Sequence, residues 1–407
     1  MSLIEKKFAR LATDNAPGQE VRQSGEGVTS LLRGEIMPGI PVDFSHGDVN
    51  TSAFAPTPGS LEEFNRGVER GGEQAYTEYR GAAELRDIVA AHLANFTGRP
   101  ISGANELIIT PGTQAALFLA VASTVASGDK VAIVRPDYFA NRKLVEFMGG
   151  EVVPVQMEYL GRSSGAGIDL SQLEVAFKAG AQTFLFSNPN NPAGVVYAKE
   201  EIHEIAALAN QYGVTVIVDQ LYSRLLYAGS FYTHLRATIM DADNVVTIMG
   251  PSKTESLSGY RLGVAFGSAR LIDRMEKLQA IVSLRAPGYS QAVLRTWFVE
   301  PQGWMAKRIA QHEALRDDLV RVLRTVNGLA VRASEAGSYL FPRLPAMSIP
   351  THDFVRILRH QARVTVTPGT EFSPQSIDSV RLNFSQNHAA AVHAIGRMVE
   401  LVNRYRE

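Results

Sequence analysis

The chain has 407 residues, 45% of them apolar and 20% charged, with a formal net charge of −1 and no cysteine. Its length exceeds one ordinary core, so two domains sharing a cleft are expected, and its near-neutrality gives no electrostatic reason to expect nucleic acid or an anionic membrane as partner. The absence of cysteine excludes disulfides, thiolate nucleophiles and zinc–thiolate sites.

The N-terminal run MSLIEKKFARLATDN is charged and helical in pattern. It lacks the apolar core of a secretion signal, and no later stretch reaches membrane-spanning length, which reads as a cytoplasmic protein. Leu85, Ile88, Val89, Leu93 and Phe96 recur at helical spacing until the stop Thr97-Gly98-Arg99-Pro100. From there short apolar runs alternate with helical patterns. Leu107-Ile108-Ile109 leads into Gly112 and a helix from Thr113 to Ala126, and Val131 to Val134 stops at Pro136. Thr183 to Phe186 stops at an asparagine cluster, Val214 to Val218 at Asp219, and Val245 to Met249 at a loop around Lys253. Strands separated by helices predict an α/β fold with a parallel sheet, whose binding groups collect where the strands end. From about Ala310 the pattern changes to a long charged helix. The runs Gly337 to Leu344 and Val364 to Gly369 follow, then a final amphipathic helix from His388, together a smaller α/β domain.

Lys253 lies in Gly250-Pro251-Ser252-Lys253-Thr254-Glu255-Ser256, with Arg261 eight residues later, the spacing of two helical turns. A lysine among serines is ordinarily a solvated loop residue. A hydroxyl and an arginine beside it also suit an amine that must bond a carbonyl next to a bound phosphate. Upstream, Asn188-Pro189-Asn190-Asn191-Pro192-Ala193-Gly194 and Asp219-Gln220-Leu221-Tyr222 end two strands, and Arg381-Leu382-Asn383-Phe384 comes late. Taken singly, these segments are a turn, a helix cap and a surface charge. As an ordered set running from about Val42 to Phe384 they resemble the class I/II aminotransferases, pyridoxal-phosphate enzymes of the aspartate aminotransferase fold.

That resemblance implies fold type I. It pictures a large domain with a mostly parallel seven-stranded sheet covered by helices (residues 51–310), and a smaller α/β domain from residues 311–407 joined by the N-terminal segment 1–50. It also implies pyridoxal 5′-phosphate as cofactor, amino acids and 2-oxo acids as substrates, and a homodimer with shared active sites. Lys253 becomes the Schiff-base lysine, and Thr113, Gln114, Ser252 and Arg261 the phosphate cup. Asp219 becomes the partner of the ring nitrogen, Asn191 and Tyr222 the partners of the ring oxygen, and Tyr138 the stacking ring. Arg381 corresponds to the arginine that grips the substrate α-carboxylate, with Gly47 and Asn191 beside it. Tyr76 corresponds to a tyrosine that reaches the neighbouring subunit's phosphate. Arg285 falls near the arginine that dicarboxylate-specific relatives use for the distal carboxylate, one residue out of register, or else is a surface charge.

The chain departs from the family pattern at Glu78, Gly250, Gln220 and Ser373, which stand where proline, serine or threonine, glutamate and glycine are frequent; the change at Gly250 removes one hydroxyl from the cup. The function implied is ping-pong transfer of the amino group of an L-amino acid to a 2-oxo acid, with Lys253 as proton carrier. A lyase on the same fold, and a non-catalytic module binding the same cofactor, are the alternatives. Other chemistries lack their motifs. Ser252 rather than glycine precedes Lys253-Thr254, so no nucleotide P-loop forms, and His203-Glu204 lacks the second histidine of a zinc helix.

Overall fold

The computed structural model describes residues 1–11, 27–71 and 75–407. The first strand, β1 (Val42–Asp43), lies outside the large sheet. Seven strands then form one sheet: β2 (Leu107–Pro111), β3 (Lys130–Arg135), β4 (Glu151–Gln156), β5 (Ala181–Ser187), β6 (Thr215–Asp219), β7 (Val245–Met249) and β8 (Leu262–Gly267). Their spatial order is β2-β8-β7-β6-β5-β3-β4. The pairs β3–β4, β3–β5, β5–β6 and β6–β7 are parallel, while β8 runs antiparallel to both β2 and β7.

The central strands are largely apolar because helices cover both faces of the sheet. All of β7 and β8 is buried. On one face Ile133, Leu185, Ile217 and Ile248 pack with Leu117, Val121, Leu271 and Met275 from helices Thr113–Thr124 and Ala269–Val282. On the other, Phe184, Phe186, Val216 and Val218 pack with Leu173, Ile202 and Ile205 from helices Leu170–Lys178 and Lys199–Tyr212. Each such side chain contributes about 1.5–3 kcal/mol on burial. Side-chain caps fix several helix starts: Asp169 accepts from the Gln172 N–H and Ser268 from the Leu271 N–H. Strands β4 and β8 carry no clear signal in the sequence. The first is an edge strand broken by Pro154, and the second, Leu-Gly-Val-Ala-Phe-Gly, is rich in small residues.

A second core lies at the C-terminal end of the chain. Strands β9 (Tyr339–Leu340), β11 (Thr367–Pro368) and β12 (Val380–Asn383) form an antiparallel sheet in the order β11-β12-β9, and β1 pairs in parallel with β10 (Val364–Thr365). Helices Trp304–Leu323 and His388–Tyr405 supply Leu315, Leu319, Ile395 and Met398 to this core, and Val28, Val42, Phe44 and Phe54 enter it from the N-terminal side. The long helix thus begins a turn and a half before Ala310. Its first two turns, Trp304-Met305-Ala306-Lys307-Arg308-Ile309-Ala310, are largely apolar, and the charged stretch follows them.

Candidate active site

A cavity of about 770 Å³ opens at the edge of the large sheet where its parallel strands end, and residues of the second core line its other side. Eleven of the thirteen residues singled out from the sequence line it: Gly47, Thr113, Gln114, Tyr138, Asn191, Asp219, Tyr222, Ser252, Lys253, Arg261 and Arg381. Most reach it from a strand end. Thr113 follows β2, Tyr138 follows β3, Asn191 follows β5, Asp219 closes β6 and Lys253 follows β7. Arg261 precedes β8, and the reversed direction of that strand brings its N-terminal end to the same edge.

One corner has the chemistry of an anion site. Helix Thr113–Thr124 begins after Gly112, which has φ 85° and offers no capping side chain, so the first N–H groups of the helix face the cleft. A Cβ at Gly112 would run into the Arg261 guanidinium, so glycine there is what lets Arg261 close on the helix end. Ser252 lines the same cavity. The serine or threonine absent at position 250 also has a steric reason, because a Cβ at Gly250 would lie 2.8 Å from Thr113 Cγ2. The eight residues from Lys253 to Arg261 are not two helical turns. They form a loop closed by a single 3-10 turn over Ser258–Tyr260, with left-handed φ values of 58° at Ser256 and 53° at Arg261.

Asp219 sits deeper. Its carboxylate accepts the Leu221 N–H at 3.1 Å, and burial offset by that one backbone donor pushes it up to about 6. A half-buried carboxylate in this state, facing the cavity, fits a cationic partner. Behind it, Gln220 Nε2 meets His234 Nδ1 at 3.0 Å. The Tyr222 hydroxyl lies 2.6 Å from that of Tyr339, and burial pushes it well above the usual phenol range. Tyr138 donates to Gln114 Oε1 at 3.0 Å, so the two are linked across the anion corner. The Asn191 backbone N–H donates to Ser187 Oγ, which itself donates to Asp137, a carboxyl pushed up to about 7 by burial.

Arg381 faces this group from β12. It donates to Asn191 Oδ1 at 3.3 Å and to the Ser45 carbonyl at 3.0 Å, and its guanidinium carbon lies 4.5 Å and 4.7 Å from the ring centres of Tyr339 and Phe372. Lys253 Nζ lies 3.4 Å from Asp48 Oδ1, and Asp48 Oδ2 accepts from Ser258 Oγ at 2.7 Å. Lys253 draws Asp48 below the usual carboxylate range against the opposing effect of its burial. Asp48, Asp137 and Tyr339 are site residues that sequence reasoning missed. Only Asp137 had a local signal, its place in Arg135-Pro136-Asp137-Tyr138.

Tyr76 and Arg285 are the two residues not brought to the cleft of their own chain. The Arg285 guanidinium stacks 3.3 Å from the centre of the Tyr76 ring and donates to the Thr77 carbonyl at 2.6 Å, while Tyr76 stays 69% exposed. They form one unit, an exposed tyrosine on a half-buried arginine, and not two parts of this cavity.

The donors present fit a phosphorylated pyridine aldehyde: a helix end with an arginine across a glycine, a half-buried carboxylate in want of a cation, and a lysine on the wall of the same cavity. The profile of the aminotransferase class I and II family matches residues 40–397. The chain is 64% identical to an aspartate aminotransferase from Rhodobacter sphaeroides of known crystal structure, covering 99% of this chain and 100% of that one with a TM-score of 0.95. It is 28% identical over 406 residues to the aspartate aminotransferase of Sulfolobus acidocaldarius, covering 97% and 99% of the two chains. It is 26% identical over 393 residues to the aspartate/prephenate aminotransferase of Thermus thermophilus, covering 96% and 95%.

Proposed function

The chain belongs to the class I and II aminotransferases, enzymes that exchange amino groups between amino acids and 2-oxo acids, and on that premise we propose that it binds pyridoxal 5′-phosphate through Lys253 and uses aspartate as amino donor. The observation that carries the cofactor reading is the convergence of Lys253, Asp219, Arg261 and Arg381 on one cavity from four separate strand ends. Aspartate is supported by the 64% identical relative.

In this reading the N–H groups at Thr113 and Gln114, the Ser252 hydroxyl and Arg261 hold the phosphate. Asp219 holds the ring nitrogen in its protonated form, and Asn191 and Tyr222 hold the ring oxygen. When bound, the cofactor supplies an aldehyde that bonds the amino nitrogen and a ring that stores the electron pair released at the substrate α-carbon. Lys253 Nζ would hold the cofactor and, as a free amine, would carry the proton taken from the substrate α-carbon. Arg381 grips the α-carboxylate with Gly47 and Asn191 beside it, and the aromatic faces of Tyr339 and Phe372 fix the guanidinium plane. The amino group stays on the enzyme between the two half-reactions, so the kinetics are ping-pong.

The exposed Tyr76, stacked on the half-buried Arg285, supports a homodimer in which each chain completes its neighbour's site, Tyr76 at the phosphate and Arg285 at the distal carboxylate of a dicarboxylic substrate. Of the N-terminal segment, Val28 to Val49 joins residues 311–407 in the smaller domain, whereas helix Leu3–Ala9 rests against Phe147 of the larger one, 51–310; residues 12–26 lie outside the described residues, and the protein is cytoplasmic. The test is a panel of amino donors mixed with the purified, pyridoxal-phosphate-loaded chain, following cofactor absorbance and 2-oxo acid together. Aspartate converts the cofactor without releasing ammonia or CO2. A preparation that stays colourless with added cofactor, or that prefers neutral donors, refutes the cofactor or the substrate assignment respectively.

A further inference from the structure

The lysine loop is held from behind by a side chain outside the cleft. Arg308, on the second turn of helix Trp304–Leu323, is 4% exposed. Its Nη1 donates to the Thr254 carbonyl at 3.1 Å and to Ser256 Oγ at 2.8 Å, and its Nη2 donates to the Ala55 carbonyl. These acceptors carry no formal charge, so burying the guanidinium is costly, and the nearby Glu255 carboxylate offsets only part of that cost. Two of them belong to the three residues directly after Lys253, and Ser256 is the one held at a left-handed φ of 58°. Phe54 and Trp304 flank the guanidinium, with ring centres 5.5 Å and 4.5 Å from its central carbon. Between the two clamped positions, the Glu255 carboxylate takes Arg224, which also binds Glu300. Further along the same helix, Leu315, Leu319 and Leu323 pack in the core that contains Leu382, the neighbour of Arg381.

We propose that Arg308 is the positioning residue for Lys253: it fixes the chain direction just after the lysine, and thereby where Nζ points, and ties that direction to the body carrying Arg381. The proposal rests on the reading of Lys253 as the attachment residue, and goes beyond it by assigning a residue that touches neither substrate nor cofactor.

The experiment uses the full chain and separates binding from bond formation. Pyridoxamine 5′-phosphate has no aldehyde, so its affinity reports the cup alone, while borohydride-trapped attachment of pyridoxal 5′-phosphate at residue 253, read by mass spectrometry, reports where the amine points. In Arg308→Met, attachment slows roughly 10- to 100-fold while pyridoxamine phosphate affinity changes less than about 3-fold, with Arg308→Lys between the two. Ser256→Ala, which removes one acceptor and leaves Arg308 in place, slows attachment severalfold. Unchanged attachment in Arg308→Met, or attachment and affinity falling together, overturns the proposal. If Arg308→Met does not fold, Ser256→Ala decides alone, and a rate equal to that of the unaltered chain overturns it. An unaltered chain that attaches no cofactor refutes the reading of Lys253 instead.

Discussion

Replacing Asp219 with asparagine has opposite consequences for the cofactor-free and the cofactor-loaded protein. In the cofactor-free chain the carboxyl is half-buried at the end of β6, open on one side to the cavity, with the Leu221 N–H as its donor, and its surroundings push it up to about 6 from an ordinary value of 3.8. A folded-state value above the unfolded one means the neutral carboxyl's contribution is complete below about pH 4 and is lost as pH rises through 6. The difference of about two units corresponds to an upper bound of about 3 kcal/mol, on the order-of-magnitude conversion of 1.36 kcal/mol per unit, because the side chain is open to the cavity on one side. The asparagine amide has no charge to bury, so the stability of Asp219→Asn relative to the original chain rises by up to about 3 kcal/mol between pH 4 and pH 8. With an unfolding entropy of ~2.1 cal/mol/K per residue, that is at most about 4 °C in Tm. Asp137 is also pushed up by burial and in part by Asp219, so its response in the variant has the same sign. Thermal melts of both cofactor-free proteins at pH 4 and pH 8 give the answer directly. A gap that does not widen by at least ~1 kcal/mol refutes the burial argument. With pyridoxal phosphate added, the same variant loses amino transfer by about 10²- to 10³-fold, because a neutral side chain no longer favours the protonated ring nitrogen.

Further outcomes follow from the same geometry. Lys253→Ala abolishes amino transfer by ~10⁴-fold or more but still binds pyridoxamine phosphate, which spectroscopic titration checks. Arg381→Lys keeps the charge but loses the planar fork, so the KM for the donor rises about 10- to 100-fold while kcat changes less, read from initial rates. Arg285→Ala lowers kcat/KM for aspartate about 10- to 100-fold and leaves a neutral donor unchanged; equal losses on both assign Arg285 to holding Tyr76 and Thr77 instead. Mixing Arg285→Ala chains with Lys253→Ala chains restores aspartate turnover through hybrid dimers that contain one intact site. No recovery after subunit exchange refutes the shared site.

Much of this protein is written locally. Apolar runs of strand length ending in Pro136, Asn188, Asp219 and Lys253 mark where parallel strands stop, because strands covered on both faces must be apolar and the chain can turn polar only at their ends. Lys253, Asp219 and Arg261 are therefore readable together, and Thr113 stands out because a strand, a glycine and a helix start follow one another. What the sequence does not carry is any contact made between distant segments. Tyr222 meets Tyr339 across 117 residues, Arg381 meets Asn191 across 190, and Lys253 meets Asp48 across 205. An aspartate after a glycine, a tyrosine in a two-residue strand and an arginine in a charged helix each look like ordinary surface chemistry until two cores are packed against each other. The antiparallel direction of β8 is likewise set by its neighbours, and it turns an eight-residue spacing into a loop that returns Arg261 to the lysine. Periodicity and strand-end chemistry are properties of short stretches and survive in the sequence, whereas the alignment of guanidinium, phenol and amine around one cavity exists only once those stretches are buried together.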